Sequence, residues 1–402
     1  MATVKLQEPR RPQRGGCALF ALGFRPFFVL AGGFAALLIL LWIPMFTGAL
    51  PAPPAYGLIG WHQHEMIFGY AAALIGGFLL TAVGNWTGLP TPTGRPLAAL
   101  AGLWLAARLL PFAGISGWPL ASGHWLLAII DVAYWPLLAG FLARPLLASK
   151  QRHNQAFLAI LLAIGAADAA VHADRLGLWP DVADQATRVA LGLVVVIMCT
   201  FGGRVIPLFT ESGLGRVALR RFAWVERLAV PSVLLWVAAL LLAPGWADLA
   251  ALPAAVVHGS RLIGWHRAAL WRVPLLWVLH LGYAWIVLGF ILHALSATGL
   301  VAPSLAIHAF TAGGIGVLGL GMMSRVSLGH TGRQMQSARS IDVAFALVNA
   351  AVLLRVLGPL LLPAGYATFL SLSAICWAAA FGLFCLHYWP ILWAPRVDGQ
   401  PG

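Results

Sequence analysis

What most constrains this chain is a run of apolar blocks, each about the length needed to cross ~30 Å of hydrocarbon as a helix. Short polar connections separate them through to the C-terminus. In lipid every backbone N–H and C=O must find a partner inside the protein, so such blocks fold as helices. They fall at 24–48, 62–86, 95–113, 119–143, 154–177, 184–208, 222–244, 247–266, 274–299, 303–325, 341–362 and 366–390. Proline and glycine mark most ends, as in Pro51-Ala52-Pro53-Pro54, Pro90-Thr91-Pro92 and Pro244-Gly245. The expected fold is therefore an all-α integral membrane protein, a polytopic bundle of about twelve transmembrane helices. Composition agrees: 61% of the residues are hydrophobic and 9% charged, and mean hydropathy is +0.87. So few charges cannot cover a soluble surface. The connections leave no room for a separate soluble domain. The reading is a basic tail over 1–18, one transmembrane domain over 19–393 and a short tail over 394–402.

Lys and Arg set the orientation. With a cytoplasmic N-terminus, the inside segments carry Lys5, Arg10, Arg11 and Arg14, then Arg95, then Arg144, Lys150 and Arg152. They continue with Arg216, Arg220 and Arg221, with Arg267 and Arg272, with Arg333 and Arg339, and with Arg396. The outside segments carry only Arg175 and Arg188. This is the positive-inside pattern, and it places both termini in the cytoplasm. Trp61, Trp86, Trp118, Trp179 and Trp389 stand at span ends as an interfacial belt. The formal net charge of +13 resides in these connections, with no aromatic-interleaved basic stripe, so nucleic acid is excluded as a partner and membrane lipid is expected. Cys17, Cys199, Cys376 and Cys385 form no C-x-x-C pair and read as small apolar residues. The first apolar block is too long for a cleaved leader.

The functional signal is the set of 12 histidines in so apolar a chain. His62, His64, His172, His293 and His308 lie in or near the outer halves of their spans, His258 lies mid-depth, and His280 lies in the cytoplasmic third. Neutral imidazole is the commonest metal ligand and the usual axial ligand of haem iron, and a helical bundle can gather such ligands. Against this stands the bland reading, a hydrogen-bonded packing residue at each position. His62 and His64 diverge by about 200° on a regular helix, so either the segment is not yet helical at Trp61-His62-Gln63-His64 or the two serve different sites. Glu65, three residues after His62, shares its face and is expected to orient that ring. Asp168 and His172 share a face at i, i+4, and His258 and Arg261 at i, i+3. Arg108, Asp131 and Arg355 also fall in apolar surroundings and need partners; for Arg108 and Asp131 a structural ion pair is expected. The glycines of span ten (Gly313, Gly314, Gly316, Gly319, Gly321) read as close helix packing.

Several strings are longer. Leu19-Phe20-Ala21-Leu22-Gly23-Phe24-Arg25-Pro26-Phe27-Phe28 opens the chain, followed by Trp61-His62-Gln63-His64-Glu65-Met66 and Gly203-Arg204-Val205-Ile206-Pro207-Leu208-Phe209-Thr210. Leu279-His280-Leu281-Gly282-Tyr283, His308-Ala309-Phe310-Thr311-Ala312-Gly313 and Gly321-Met322-Met323-Ser324-Arg325-Val326-Ser327-Leu328-Gly329-His330 follow. Together they resemble the NnrS family of bacterial membrane proteins over nearly the whole chain. The resemblance implies a haem- and copper-containing inner-membrane protein of the response to nitric oxide and nitrosative stress, often associated with denitrification. It implies nitric oxide or a related small molecule as the ligand, and leaves the electron donor and any turnover open. The ligand pool for haem and copper is His62, His64, His172, His258, His280 and His308, with Glu65, Asp168, Arg261, Arg325 and His330 in support. His293 and His266 match no family string. Two other classes stay open: a secondary transporter of protons, metal or an anion, and a haem-based sensor or partner without turnover.

Overall fold

The computed structural model describes residues 17–112, 120–149, 152–215 and 217–400. Most of the basic N-terminal tail, with Trp118, Lys150 and Arg216, lies outside the described residues. Twelve helices follow in chain order: α1 Phe24–Phe46, α2 Gly57–Thr87, α3 Arg95–Leu109, α4 Leu120–Ala148, α5 Ala156–Arg175 and α6 Ala183–Gly213. Then come α7 Ala223–Leu242, α8 Ala247–Trp265, α9 Pro274–Ser296, α10 Pro303–His330, α11 Arg339–Leu361 and α12 Tyr366–Trp393. The described residues include no strand.

Ten of these helices are long and apolar enough to cross a membrane. The other two, α3 and α8, are shorter or more polar, α8 carrying Asp248, His258 and Arg261. Both nevertheless run the depth of the bundle. At the foot of α3 the Gly94 N–H donates to the Phe20 carbonyl at 2.8 Å, and beyond its top the Phe112 ring meets Trp61 at 5.5 Å. In α8, the Gly264 carbonyl accepts from Arg220 N–H at 3.1 Å, while Asp248 at the other end takes the Ser296 hydroxyl at 3.3 Å.

The two ends of the chain meet. Ala18 N–H donates to the Trp393 carbonyl at 2.9 Å, and the buried Arg25 guanidinium holds the carbonyls of Leu392 and Ala394 at 2.9 and 2.7 Å. The number of crossings is therefore even. The described Arg220, Arg221, Arg267, Arg333 and Arg396 stand on this terminal face, and Arg175 and Arg188 on the far face.

Leu242, Ile263 and Leu386 are each at least 75% exposed, as suits helices whose outer surface meets lipid rather than water. The inner layer is α2, α6 and α10, buried over 78–83% of their apolar windows, against 39–50% for α1, α4, α5, α7, α11 and α12. The histidine strings of α2 and α10 thus sit at the centre.

Those two spans also depart from regular α geometry. Glu65–Ala71 in α2 and Ala309–Val317 in α10 are π-helical. A π-turn disturbs the carbonyl ladder, and in α2 two aromatic donors fill the gaps. Trp104 Nε1–H donates to the Gly69 carbonyl and the Tyr134 hydroxyl to the Ala72 carbonyl, both at 3.0 Å. α2 starts at Gly57, five residues before the expected 62, so His62 and His64 fall within its first two turns. α6 and α10 run on to Gly213 and His330, beyond the expected 208 and 325. In α10, added Cβ atoms at Gly313, Gly314, Gly319 and Gly321 would meet Trp285, Ile286, Leu74 and Val278, and one at Gly316 would meet Trp377. The glycine run is a close-packing surface.

Candidate functional site

Two groups of side chains diverge from the first turns of α2. The first is polar and sealed. His64, Glu65, Arg108, Asp131, Asp168 and His172 are at most 4% exposed and come from α2, α3, α4 and α5. His64 Nε2 lies 3.0 Å from Asp168 Oδ1 and 3.4 Å from Asp131 Oδ2. His172 Nε2 lies 3.5 Å from Asp131 Oδ2 and 3.7 Å from Asp168 Oδ1. This quartet could hold a metal ion. His172 Nε2 and Asp131 Oδ2 have no hydrogen-bond partner, a costly state for buried polar atoms.

The surroundings orient the quartet. His64 Nδ1 faces Glu65 Oε1 at 3.2 Å, and Trp135 Nε1–H donates to Asp168 Oδ2 at 3.1 Å. Arg108 bonds Asp131 through Nη2 and approaches Glu65 Oε2 at 3.0 Å as an ion pair. Gly69 makes the room, since a Cβ there would stand 2.8 Å from Glu65 Oε2 and 2.9 Å from Arg108 Nη1. The Tyr56 ring lies over His64 at 4.5 Å.

The second group lines a cavity among α1, α2, α10, α11 and α12. His62 and His308 face each other across it, ring centres 6.4 Å apart and planes 14° from parallel. Its walls include Ile39, Trp42, Ile43, Met66, Tyr70, Ile315, Leu370 and Trp377, with Arg355 among them. The space between the walls, open mouth included, is about 640 Å³. His308 Nδ1–H donates to the Ser304 carbonyl at 2.6 Å, so its neutral ring keeps the Nε2 lone pair for another partner. His62 Nδ1 and Arg355 Nη1 are buried without partners. The two π-helical segments lie side by side at this depth: Met66 and Tyr70 come from one, Thr311 and Ile315 from the other.

The remaining expected residues stand apart. His258 uses both nitrogens, Nε2–H donating to the Ala229 carbonyl at 3.0 Å and Nδ1 accepting from the Tyr283 hydroxyl at 2.6 Å. Arg261 is held by Glu226 at 2.5 Å and by the Cys199 carbonyl at 3.1 Å. His280 donates to the Leu276 carbonyl at 3.0 Å, its Nε2 buried and unpartnered. Arg325 lies 4.0 Å over the Phe209 ring, and the His330 ring lies 5.6 Å from Phe24. Sequence reasoning paired Glu65 with His62, whereas the structure pairs it with His64 and Arg108. Arg108 and Asp131 do pair, but inside the histidine cluster. Tyr56 and Trp135 carried no signal in the sequence, because only the fold brings them to the cluster.

No curated protein matches the chain. The sequence profile of the NnrS protein family does, over residues 18–396, which take in both histidine groups and all twelve helices, and the chain belongs to that family.

Proposed function

We propose that this protein holds haem between His62 and His308 and serves the response to nitric oxide, binding that gas or a product of it. The observation that carries the reading is the facing pair of imidazoles. The two near-parallel rings stand 6.4 Å apart on the walls of one largely apolar cavity, and His62 and His308 would hold the haem iron there through ring nitrogens. The walls are apolar and aromatic, as a porphyrin face requires. Arg355, buried and lacking a partner at Nη1, suits a propionate. Bound haem would supply an iron centre for nitric oxide and one-electron chemistry.

The two histidines differ in how they are held. Ser304 fixes the His308 ring in one tautomer, the arrangement usual for a permanent ligand. Among the described residues His62 makes ring contacts with Trp42 at 4.7 Å and with His308, and its Nδ1 has no hydrogen-bond partner. His308 is thus the anchoring ligand and His62 the exchangeable one. The positive-inside rule makes the terminal face cytoplasmic in a bacterial inner membrane, so the cavity opens in the outer half of the membrane, where an uncharged gas arrives from lipid or periplasm. Copper is proposed as the second metal of this reading; the sealed cluster, with two imidazoles, two carboxylates and no sulfur, suits copper(II) better than copper(I).

The test is the optical spectrum of protein purified from haem-replete cells, recorded oxidised, reduced, and reduced with nitric oxide. Wild-type protein is expected to carry one haem whose Soret band shifts with nitric oxide. His308→Ala is expected to lose haem, and His62→Ala to keep it with an altered spectrum. Wild-type protein without haem, or haem content untouched in both variants, sinks the reading.

A further inference from the structure

We propose that His64, Asp131, Asp168 and His172 form a binding site for one divalent transition-metal ion of borderline hardness, separate from the haem cavity. The inference does not rest on the haem reading.

The first support is geometric. The four separations between a histidine nitrogen and a carboxylate oxygen are 3.0, 3.4, 3.5 and 3.7 Å. Four ligands about 2.0–2.1 Å from one ion in a tetrahedron are about 3.4 Å apart. The four edges of the quartet have the size expected of a four-coordinate hole, all four ligand atoms lie within 4.8 Å of one another, and three different helices, α2, α4 and α5, supply them.

The second support is charge. Glu65, Asp131 and Asp168 bring three carboxylates into a space that water does not reach, and Arg108 returns one positive charge. With both imidazoles neutral, two negative charges remain uncompensated, and buried charge without compensation is not tolerated. One divalent cation brings the cluster to neutrality.

The third support is the unpartnered atoms. His172 Nε2 and Asp131 Oδ2 are buried, lack hydrogen bonds and converge on the same point as the other two ligands. The remaining faces carry the outer contacts usual around metal ligands: Glu65 on His64 Nδ1, Trp135 on Asp168 Oδ2, and Arg108 on Asp131 Oδ1.

Two imidazoles and two carboxylates suit Zn²⁺, Co²⁺, Fe²⁺ or Cu²⁺, and select against Cu⁺ and against the all-oxygen cations Mg²⁺ and Ca²⁺. The experiment is a titration of purified, chelator-treated protein in detergent with Co²⁺ alone, followed by its visible d–d absorption and by metal analysis after desalting. Haem content is read independently at the Soret band, so failure of either site is visible without the other. The expected result is one Co²⁺ per chain, with the intense bands of a four-coordinate site, displaced by Zn²⁺. Asp131→Asn and His172→Ala should each weaken uptake at least tenfold, while His387→Asn, on α12 at the other face, should leave it unchanged. As a measurement that needs no variant, Cu²⁺-loaded wild-type protein should display electron-spin coupling to two imidazole nitrogens. No saturable uptake, as when the cluster holds its charge as two imidazolium protons, overturns the proposal. So does uptake that survives both ligand variants, or coupling to no nitrogen.

Discussion

Arg108→Met tests the electrostatics on which the cluster depends. Among the described residues Arg108 supplies the guanidinium that pairs with Glu65 and Asp131, and its side chain is 1% exposed. Methionine keeps the length and apolar contact of the stem and removes the charge. With neutral imidazoles, the metal-free cluster then goes from two uncompensated negative charges to three. Breaking a buried ion pair by removing one partner costs about 3–5 kcal/mol, or roughly 150- to 5,000-fold in the folding equilibrium. The assay is reversible unfolding in mixed micelles against a denaturing detergent, followed by helical circular dichroism, with and without saturating Zn²⁺. The loss should be largest in chelator, and Zn²⁺ should recover part of it by supplying the missing charge. Asp131→Asn in the Arg108→Met background should also recover part, since the two residues are in direct contact and their effects couple. A loss below about 1 kcal/mol in chelator would be the value of an exposed pair. It would mean that water or protons already neutralise the carboxylates, and the charge argument for a divalent ion would fall with it.

Three further outcomes follow from the structure. Gly282→Ala places a Cβ 2.6 Å from Leu318 N and 2.8 Å from Leu318 Cα; backbone cannot swing aside, so a loss of about 1–3 kcal/mol is expected in the same assay, while Gly102→Ala, with open space around it, should be nearly silent. Tyr283→Phe removes the hydroxyl that bonds His258 at 2.6 Å and accepts from Arg261 at 3.2 Å, costing about 1–3 kcal/mol and leaving haem and Co²⁺ content unchanged. At the terminal face, the Arg396 guanidinium holds the Asp398 carboxyl down to about 2. A depressed folded value stabilises above the ordinary carboxylate range near ~4 and is lost as pH falls through about 2. Protection of the Val397 amide, bonded to the Thr331 carbonyl at 3.1 Å, should fall over that window in hydrogen exchange.

The bundle was legible because lipid leaves the backbone one solution at a time. An apolar block of span length must be a helix, and proline or glycine at its ends tells where it stops. Pro274 and Pro303 open α9 and α10 in the structure as their positions in the sequence suggest. The even crossing count also followed, from alternating charge, and the Ala18–Trp393 contact bears it out. The π-helical segments were not legible. In α2, Trp104 and Tyr134 satisfy carbonyls in and just after the π-segment, and these are residues of other helices whose proximity no local pattern encodes. The partner of Glu65 was not legible either, because the Arg108 guanidinium that holds its carboxylate beside His64 comes from another helix.

Helical phase separated His62 from His64 correctly, because an angle of about 200° is fixed by the backbone alone. Which histidines share a site is a tertiary fact, and so is the number of lone pairs each retains. His258 is as deeply buried as any candidate, yet the Ala229 carbonyl and the Tyr283 hydroxyl occupy both its nitrogens. His308 gives one nitrogen to Ser304 and keeps the other, and His172 Nε2 and His62 Nδ1 are buried without a bond. Ligand capacity therefore belongs to the unoccupied nitrogen, not to the residue. By that measure such atoms gather in groups at two points, the cavity between α2 and α10 and the sealed quartet joining α2, α4 and α5, whereas the unbonded Nε2 atoms of His280 and His293 stand apart from both. A ligand search that mutates all six histidines alike should find His258→Ala acting through stability, with metal and haem stoichiometry retained in the folded fraction. His172→Ala and His308→Ala should each empty one site and leave the other filled. If one substitution emptied both, the two centres would be one coupled unit, and their separation by helical phase would be wrong.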